Sequence, residues 1–351
     1  RKTDGKSIFV REGYAERISQ LLEKCNAQML FMKRDCDGYR LVDDIDMLVQ
    51  PLNRLHALIS DYLQEQEKVS LEVREKLLDF YFILSHFLDI YERQDENYVK
   101  YTRLCEDGSF ELKLFCVNPR ENLKECMLRG RSTILFSATF LPIQYYKNLL
   151  GGEKQDYEVY AHSVFDPEKR TILIAGDVTS KFTRRSQEEY YNIARYIHEV
   201  VKNRHGNYMV FFPSYSFMNH IYEIYVQYFL TEEEECLVQQ DSMNEEEREY
   251  FLNRFRGNED CDLQSLIGME IEEEEEQTLI GFCVLGGIFG EGIDLKKDSL
   301  IGVIVVGTGL PQVGCEREIL KDYFDENGEN GFDYSYRYPG MNKVLQAAGR
   351  V

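Results

Sequence analysis

A chain of 351 residues is long enough for two or three domains, and a hydrophobic fraction of 43% suffices for sizeable cores. It has no apolar run near the roughly 18 residues of a membrane span, and its nine scattered cysteines form no C-x-x-C pair, which argues against a zinc site or a disulfide framework and favours a reducing cytosol. The net charge of −21 disfavours nucleic acid as a partner, but positions 231–280 hold 18 acidic residues against three arginines, which leaves only −6 elsewhere and room for a basic track.

Positions 1–104 are predicted to be helical. Apolar residues recur at spacings of three and four over 14–25, over 52–63 after Pro51, and over 73–91. Such stripes indicate amphipathic helices that pack on one another. The polar positions 33–40 predict a loop or an edge hairpin.

A second region, positions 105–150, begins where the pattern changes near Cys105. Two short apolar runs predict strands, LKLFCV at 112–117 and STILF at 132–136, with a short helix at 123–128 between them. A strand, a helix and a strand with short connections are typical of the end of a parallel sheet. Two strands are too few for an independent sheet, so we expect the missing strands to lie upstream of Arg1.

From Gly151 onward, strand and helix patterns alternate. Strands are predicted at 171–175, 207–212, 279–285 and 301–306, and helices at 186–202, 217–228, 245–255 and from Met341 through Gln346. This alternation indicates a doubly wound, RecA-like or Rossmann-like layer with helices on both faces of a parallel sheet. The interval 257–277 contains five successive glutamates and predicts a solvated or disordered loop, with an acidic docking site as the alternative.

The stretch LIGFCVLGGIFGEGIDL at 279–295 is the centre of the functional interpretation. A buried strand runs into a glycine-rich loop with two acids, comprising Gly286, Gly287, Gly290, Glu291, Gly292 and Asp294. This arrangement brings backbone N–H groups close to a phosphate at the carboxyl end of a sheet. Ordinary tight turns are the alternative, and the loop lacks the Gly-Lys-Ser/Thr of a Walker A loop.

Four segments with a common order carry a family resemblance: STILFSATF at 132–140, GNYMVFFPSY at 206–215, GGIFGEGIDL at 286–295 and YPGMNKVLQAAGRV at 338–351. They resemble motif III, the motif IV region, motif V and motif VI of the superfamily 2 helicases, specifically the DinG/XPD-like branch of DNA helicases. The resemblance covers Leu112 to the C terminus, and the first hundred residues by position only. It implies a helical Arch-like domain at 1–104, the last strands of motor domain one at 105–150, and a RecA-like motor domain two at 151–351.

Such motors bind ATP between two RecA-like domains and single-stranded DNA across both. The resemblance implies that Ser137 and Thr139 relay nucleotide occupancy to the DNA, with a helix cap as the alternative. It also implies a DNA-binding set consisting of Ser214, Tyr215, Gly286 and Gly287.

On the nucleotide side, the resemblance implies binding or coupling roles for Gly290, Glu291, Gly292, Asp294 and Gly349. Gln346 and Arg350 would reach the γ-phosphate as the catalytic pair. The fixed fork of guanidinium donors suits charge that spreads over phosphoryl oxygens. A salt bridge on the helix surface is the alternative for Arg350.

The same resemblance implies ATP and Mg²⁺ as ligands of a larger parent helicase, cut here at both ends. Its partners would be single-stranded and forked duplex DNA, and it would translocate 5′→3′ as a cytoplasmic monomer in DNA repair. Neither a complete Walker A pattern nor a D-E-x-H box occurs, so we predict no metal site here and no ATPase activity of these residues alone. Members of this branch often hold an iron–sulfur cluster on four cysteines upstream of the Arch, and nothing in this sequence matches it. The rival interpretation is a non-enzymatic α/β module that binds single-stranded nucleic acid or a protein.

Overall fold

The structure is a computed structural model that describes residues 14–65, 71–163, 165–256, 277–290, 293, 295 and 297–350. It divides into two compact units. Unit 1 comprises residues 1–133 and 147–154, and unit 2 comprises residues 134–146 and 155–351. The expected boundaries at 104 and 150 stay predictions.

Unit 1 contains the three predicted amphipathic helices. They are α1 (Tyr14–Arg34), α2 (Asp46–Glu65) and α3 (Leu71–Arg93). Their apolar stripes meet in one core around Ile18, Leu55, Ile59 and Leu77. Leu48 and Val49 extend the buried stripe of α2 upstream of Pro51, which lies inside the helix.

The rest of the described part of unit 1 includes an antiparallel sheet, formed by β1 (Tyr39–Leu41), β2 (Tyr98–Leu104) and β3 (Phe110–Cys116) in that order. The predicted edge hairpin at 33–40 therefore contains a real edge strand. The helical prediction for 98–104 is wrong, because these residues pair with β3 across a tight turn in which Gly108 has φ +77°. Two antiparallel strands need only a short turn between them, so β3 is not the predicted strand of a parallel sheet.

Two other predicted strands are absent from the described residues. Residues 132–136 and 171–175 form no ladder, and their apolar side chains are exposed: Phe136 by 88% and Ile174 by 90%. A strand is stabilised by hydrogen bonds to a neighbouring strand, and no described strand lies beside either segment. The short helix predicted at 123–128 is observed as α4 (Arg120–Met127), and α5 (Ile143–Leu149) follows it.

The centre of unit 2 is a four-stranded parallel sheet of order β5–β6–β4–β7. Its strands are β4 (Asn207–Phe212), β5 (Glu234–Val238), β6 (Thr278–Val284) and β7 (Gly302–Val305). Three of them match predicted strands, and β5 is an additional one. All pairings are parallel, with β4 in register against both β6 and β7.

Helices cover both faces of this sheet. The described helices of unit 2 are α6 (Gln187–Val201), α7 (Tyr215–Tyr228), α8 (Glu245–Arg256), α9 (Cys315–Glu326) and α10 (Tyr338–Ala348), with a π-helical turn at Asp333–Arg337 and short 3₁₀ turns at Pro167–Lys169, Phe182–Arg184 and Lys297–Ser299. The side chains of Val210 and Phe212 pack on α6 and α7, whereas those of Met209 and Phe211 pack on α8 and α10. The predicted doubly wound α/β layer, with helices on both faces of a parallel sheet, is therefore confirmed. Apart from Gln277, the predicted acidic loop lies outside the described residues.

Candidate functional site

The carboxyl ends of β4 and β6 lie side by side in unit 2. Phe212 pairs with Val284, and the Leu285 N–H donates to the Phe212 carbonyl at 2.8 Å. Ser214 and Tyr215 therefore leave the sheet next to the glycine loop that starts at Gly286. Ligands of open α/β sheets bind at this edge, where strands end and loops begin.

A buried glutamine, Gln239, joins the two neighbouring strand ends. Its side chain is only 2% exposed and follows β5 directly. Its amide oxygen accepts from the Val284 N–H at 2.9 Å, and its amide nitrogen donates to the Tyr215 hydroxyl at 2.8 Å. The amide thus fixes Tyr215 against the start of the glycine loop.

Tyr215 keeps its phenolic proton because burial raises its pKa, with a further upward contribution from the Asp241 charge. Since the hydroxyl already accepts from Gln239, its own hydrogen can donate to a ligand oxygen. The neighbouring Ser214 has another role in this structure. Its hydroxyl caps α7 by accepting from the Phe217 N–H at 3.4 Å.

The glycine loop makes tight turns on itself. The Gly287 N–H donates to the Val284 carbonyl at 3.0 Å, and the Gly290 N–H donates to the Gly287 carbonyl at 2.9 Å. These two N–H groups are therefore engaged within the loop and do not point to a phosphate. The glycine loop therefore forms the ordinary tight turns that the sequence analysis gave as the alternative to phosphate binding. Glu291, Gly292 and Asp294 lie outside the described residues.

Close packing explains two of these glycines. Gly286 has φ +71°, and a Cβ there would lie 2.8 Å from Cε of Lys343 on α10. A Cβ on Gly287 would lie 2.7 Å from the side-chain amide of Gln239. Any larger side chain would push Lys343 or Gln239 away from the loop.

The guanidinium of Arg350 reaches the far end of the same loop. It donates to the Gly290 carbonyl at 2.7 Å and to the Ile293 carbonyl at 2.6 Å. Its Nε is buried and has no hydrogen-bond partner among the described residues. Arg350 therefore lies at the glycine-lined end of β6 and pairs with no described carboxylate, while its role at a γ-phosphate stays a prediction.

The other motif VI residues lie on or just after α10. Gln346 is half-buried one turn before Arg350 and makes no hydrogen bond to the described part of the loop. Gly349 caps the helix, and its N–H donates to the Leu345 carbonyl at 3.0 Å. The proposed nucleotide roles of both residues stay predictions.

The segment that carries Ser137 and Thr139 is exposed and forms a local turn. The Ser137 hydroxyl accepts from the Thr139 N–H at 3.1 Å and lies 3.2 Å from the Thr139 hydroxyl. The helix-cap alternative is wrong for Ser137, because α5 begins only at Ile143. Neither hydroxyl contacts the glycine loop within the part of the chain that is described.

An aromatic cluster in unit 2 ties this segment to motif VI. The Tyr145 ring lies 5.0 Å from the Tyr334 ring and 4.8 Å from the Tyr338 ring, at the start of α10. Burial in this cluster raises the pKa of Tyr145 to about 12. The contact links the segment that follows Thr139 to the helix that precedes Arg350.

Sequence reasoning missed Gln239, Lys343 and this aromatic cluster. Gln239 follows a strand concealed in an acidic interval, and Lys343 stands inside the motif VI segment without belonging to its pattern. No group of three potential metal ligands and no helix able to cross a membrane occurs among the described residues. Gly5, Lys6 and Ser7 match the glycine, lysine and serine that end a Walker A pattern, whose first glycine would stand one position before Arg1, and all three lie outside those residues.

Comparison with known families finds one match that includes the site. A model of the helicase C-terminal domain matches residues 197–351, which include β4, the glycine loop and α10. Over these residues the chain is similar to helicase C-terminal domains, in line with its resemblance to the DinG/XPD-like superfamily 2 helicases. The described segments that resemble motifs IV to VI therefore lie within the matched residues, at one edge of one sheet.

Similar proteins carry helicase names. The chain is 23% identical over 230 residues to the ATP-dependent DNA helicase CHL1 of Scheffersomyces stipitis, covering 63% of this chain and 26% of that protein. It is 26% identical over 255 residues to the ATP-dependent DNA helicase XPD of Sulfolobus acidocaldarius, covering 69% of this chain and 41% of that protein. A solved structure named XPD_APO aligns with a TM-score of 0.47 at 18% identity, over 99% of this chain and 64% of that one. The chain thus spans well under half the length of these two curated relatives.

Proposed function

We propose that the chain is the C-terminal motor portion of a helicase that couples ATP hydrolysis to 5′→3′ translocation on single-stranded DNA and to duplex unwinding. The observation that carries the proposal is the convergence of Arg350 on the glycine loop. An arginine held at a glycine-rich strand end is suited to a phosphoryl group, because its fork of donors matches phosphate oxygens.

The Arg350 donors fit a nucleotide phosphate. The guanidinium now binds two neutral carbonyl oxygens, while its Nε has no partner among the described residues. Hydrogen bonds to charged phosphate oxygens are about twice as strong as those to neutral acceptors. A γ-phosphate would therefore compete successfully for this guanidinium, with Gln346 one turn away on the same helix. Bound Mg²⁺ would neutralise phosphate charge, and we assign none of its ligands to this chain.

The proposed partners are single-stranded and forked duplex DNA, and the proposed setting is DNA repair in the cytoplasm, by a monomer whose iron–sulfur cluster would lie outside this chain. Tyr215 supports the DNA assignment, because its fixed ring and free hydroxyl hydrogen suit a base face and a phosphate oxygen. We also propose that these 351 residues alone hydrolyse no ATP, since they contain no D-E-x-H box to hold Mg²⁺.

The test is Arg350→Ala in the full-length protein. We expect the DNA-stimulated kcat for ATP to fall by about 10³-fold or more, as it does when an arginine finger is lost. Affinity for single-stranded DNA should change little. Arg337→Ala is the matched control, because Arg337 pairs with Asp333 at the surface instead of the loop.

Two outcomes would contradict the proposal. An unchanged kcat in Arg350→Ala would remove Arg350 from the nucleotide site. Full-length protein that binds single-stranded DNA but hydrolyses no ATP would favour the non-enzymatic module. DNA-stimulated turnover by the 351 residues alone would contradict only the claim that they are inactive.

A further inference from the structure

Lys343 lies against the end of the glycine loop that is remote from Arg350. Its methylenes pack on Gly286, so that a Cβ at that position would lie 2.8 Å from Cε and 3.1 Å from Nζ. The ammonium is therefore held beside the loop backbone, with the aliphatic stem covering the glycine. The backbone of Gly286 has the left-handed conformation, and its lack of a side chain leaves room for Lys343 to approach the loop.

The ammonium has no acidic partner among the described residues. The described lysines that are paired include Lys124 with Glu153 and Lys321 with Asp325. Lys343 forms no such ion pair with any described residue, although acidic residues outnumber basic ones by 21 in this chain. A half-buried cation that pairs with no described carboxylate, at the strand-end edge of a parallel sheet, is chemically suited to an anion.

Two donors lie at this end of the loop. Lys343 reaches it from one side across Gly286, and the Tyr215 hydroxyl reaches it from the other side through Gln239, which lies against Gly287. Arg350 binds the other end, at Gly290 and Ile293. About two helical turns, or roughly 10 Å, separate the backbone of Lys343 from that of Arg350.

We infer that Lys343 is a phosphate-binding residue for single-stranded DNA, at the Gly286 end of the loop. The inference rests on the proposed function, in which this end of the loop faces the DNA. The separation from Arg350 favours a DNA phosphate over a nucleotide phosphate. Tyr215 and Lys343 would hold the strand together, with Gln239 as the positioning residue of the tyrosine.

A single phosphate contact has a measurable signature. For single strands, the logarithm of the binding constant falls with the logarithm of salt concentration by about 0.7 for each phosphate that is neutralised. Loss of Lys343 should therefore reduce this slope by about 0.7. Between 50 and 200 mM salt, the affinity advantage of the wild type should shrink by about 2.6-fold.

The experiment uses Lys343→Met and Lys343→Arg in the full-length protein. Methionine keeps the stem that packs on Gly286 but removes the charge, and arginine restores the charge. Binding of a fluorescein-labelled oligothymidine is measured by anisotropy from 50 to 200 mM salt. Binding of a fluorescent ATP analogue is measured in parallel, and urea unfolding checks that each variant is folded.

The expected result is a slope lower by about 0.7 in Lys343→Met, recovery in Lys343→Arg, and unchanged nucleotide affinity. Lys321→Met is the matched control, since Asp325 already neutralises that lysine. An unchanged slope in Lys343→Met, or an equal loss in Lys321→Met, would overturn the inference. Weakened nucleotide binding with an unchanged DNA slope would assign Lys343 to the nucleotide instead. Wild-type protein that binds no single strand would refute the proposed function itself.

Discussion

Replacing Gln239 with methionine removes both side-chain hydrogen bonds of the buried amide while nearly keeping its volume. The Val284 N–H loses its acceptor at 2.9 Å, and the Tyr215 hydroxyl loses its donor at 2.8 Å. The backbone bond from Gln239 N–H to the Phe282 carbonyl is unaffected. The substitution therefore tests the amide alone.

The two losses differ in size. An unsatisfied buried N–H costs about 1–3 kcal/mol, whereas the bond to the partly exposed Tyr215 contributes about 0.5–1.5 kcal/mol net. We therefore expect Gln239→Met to lower the free energy of unfolding by about 1.5–4.5 kcal/mol. Tyr215→Phe should cost only about 0.5–1.5 kcal/mol, and the double variant should cost less than the sum, because the two residues share one hydrogen bond.

Urea unfolding of unit 2, followed by tyrosine fluorescence, measures these free energies. Hydrogen exchange of the Val284 amide gives a local measure, which should accelerate in Gln239→Met and stay unchanged in Tyr215→Phe. Gln240→Met is the matched control, because the neighbouring Gln240 is exposed; its effect should stay within about 0.5 kcal/mol. A loss below about 1 kcal/mol in Gln239→Met, with unchanged exchange at Val284, would refute the assigned role of the amide.

Three other results are expected. Gly281→Ala should lower the free energy of unfolding, measured in urea, by about 1–3 kcal/mol, because the added methyl would lie 2.7 Å from the buried Phe255 ring. Adding Phe255→Leu should recover part of that loss. An unchanged free energy of unfolding in Gly281→Ala would contradict this packing. Burial raises the pKa of Tyr145 to about 12, so the stabilisation from its neutral phenol is fully present below pH 10 and is lost as pH rises from 10 to 12. In Tyr145→Phe, the free energy of unfolding should therefore fall less steeply with pH over that range. The same fall in the variant and the wild type would contradict the burial of Tyr145. Phe136→Ser with Ile174→Ser should slow aggregation of the isolated chain, measured by light scattering, because both side chains are exposed; an unchanged rate would count against these segments as the cause.

Much of unit 2 could be predicted from sequence because its signals are local and strong. The runs at 207–212 and 279–285 are continuously apolar, as strands buried on both faces must be. Ser186 precedes a periodic apolar stripe, and it caps α6 by accepting from the Glu189 N–H. Each of these elements is specified by residues close to it in the chain.

Other elements depend on neighbours that the local sequence does not reveal. The segments 132–136 and 171–175 have the composition of buried strands, yet composition cannot supply the strand that must pair with them. The strand β5 is hidden because acidic residues flank its short core of Cys236, Leu237 and Val238. The hairpin of β2 and β3 does have a local signal, because Asp107-Gly108 is a dipeptide typical of hairpin turns.

The candidate site shows the same limit. The order of the motifs predicts that Arg350 and Gly290 belong to one site, because one follows the last helix and the other follows a strand end. The structure shows a hydrogen bond between them. Gln239 and Lys343 could not be found in that way, since each acts through a contact with a glycine distant in sequence. A glycine pattern reports that space is needed, but it does not report which side chain fills that space.

The π-helical turn at Asp333–Arg337 sets the rotation of α10 about its own axis. A π turn holds about one residue more than an α-helical turn, which corresponds to about 100° of winding. Tyr334, within this turn, contacts Tyr145, while Lys343 and Arg350 beyond it contact the two ends of the glycine loop. Shortening the turn by one residue would swing both cations away from the loop without changing any residue that touches it. The number of residues in this turn therefore specifies the site as strictly as the identity of its charged side chains.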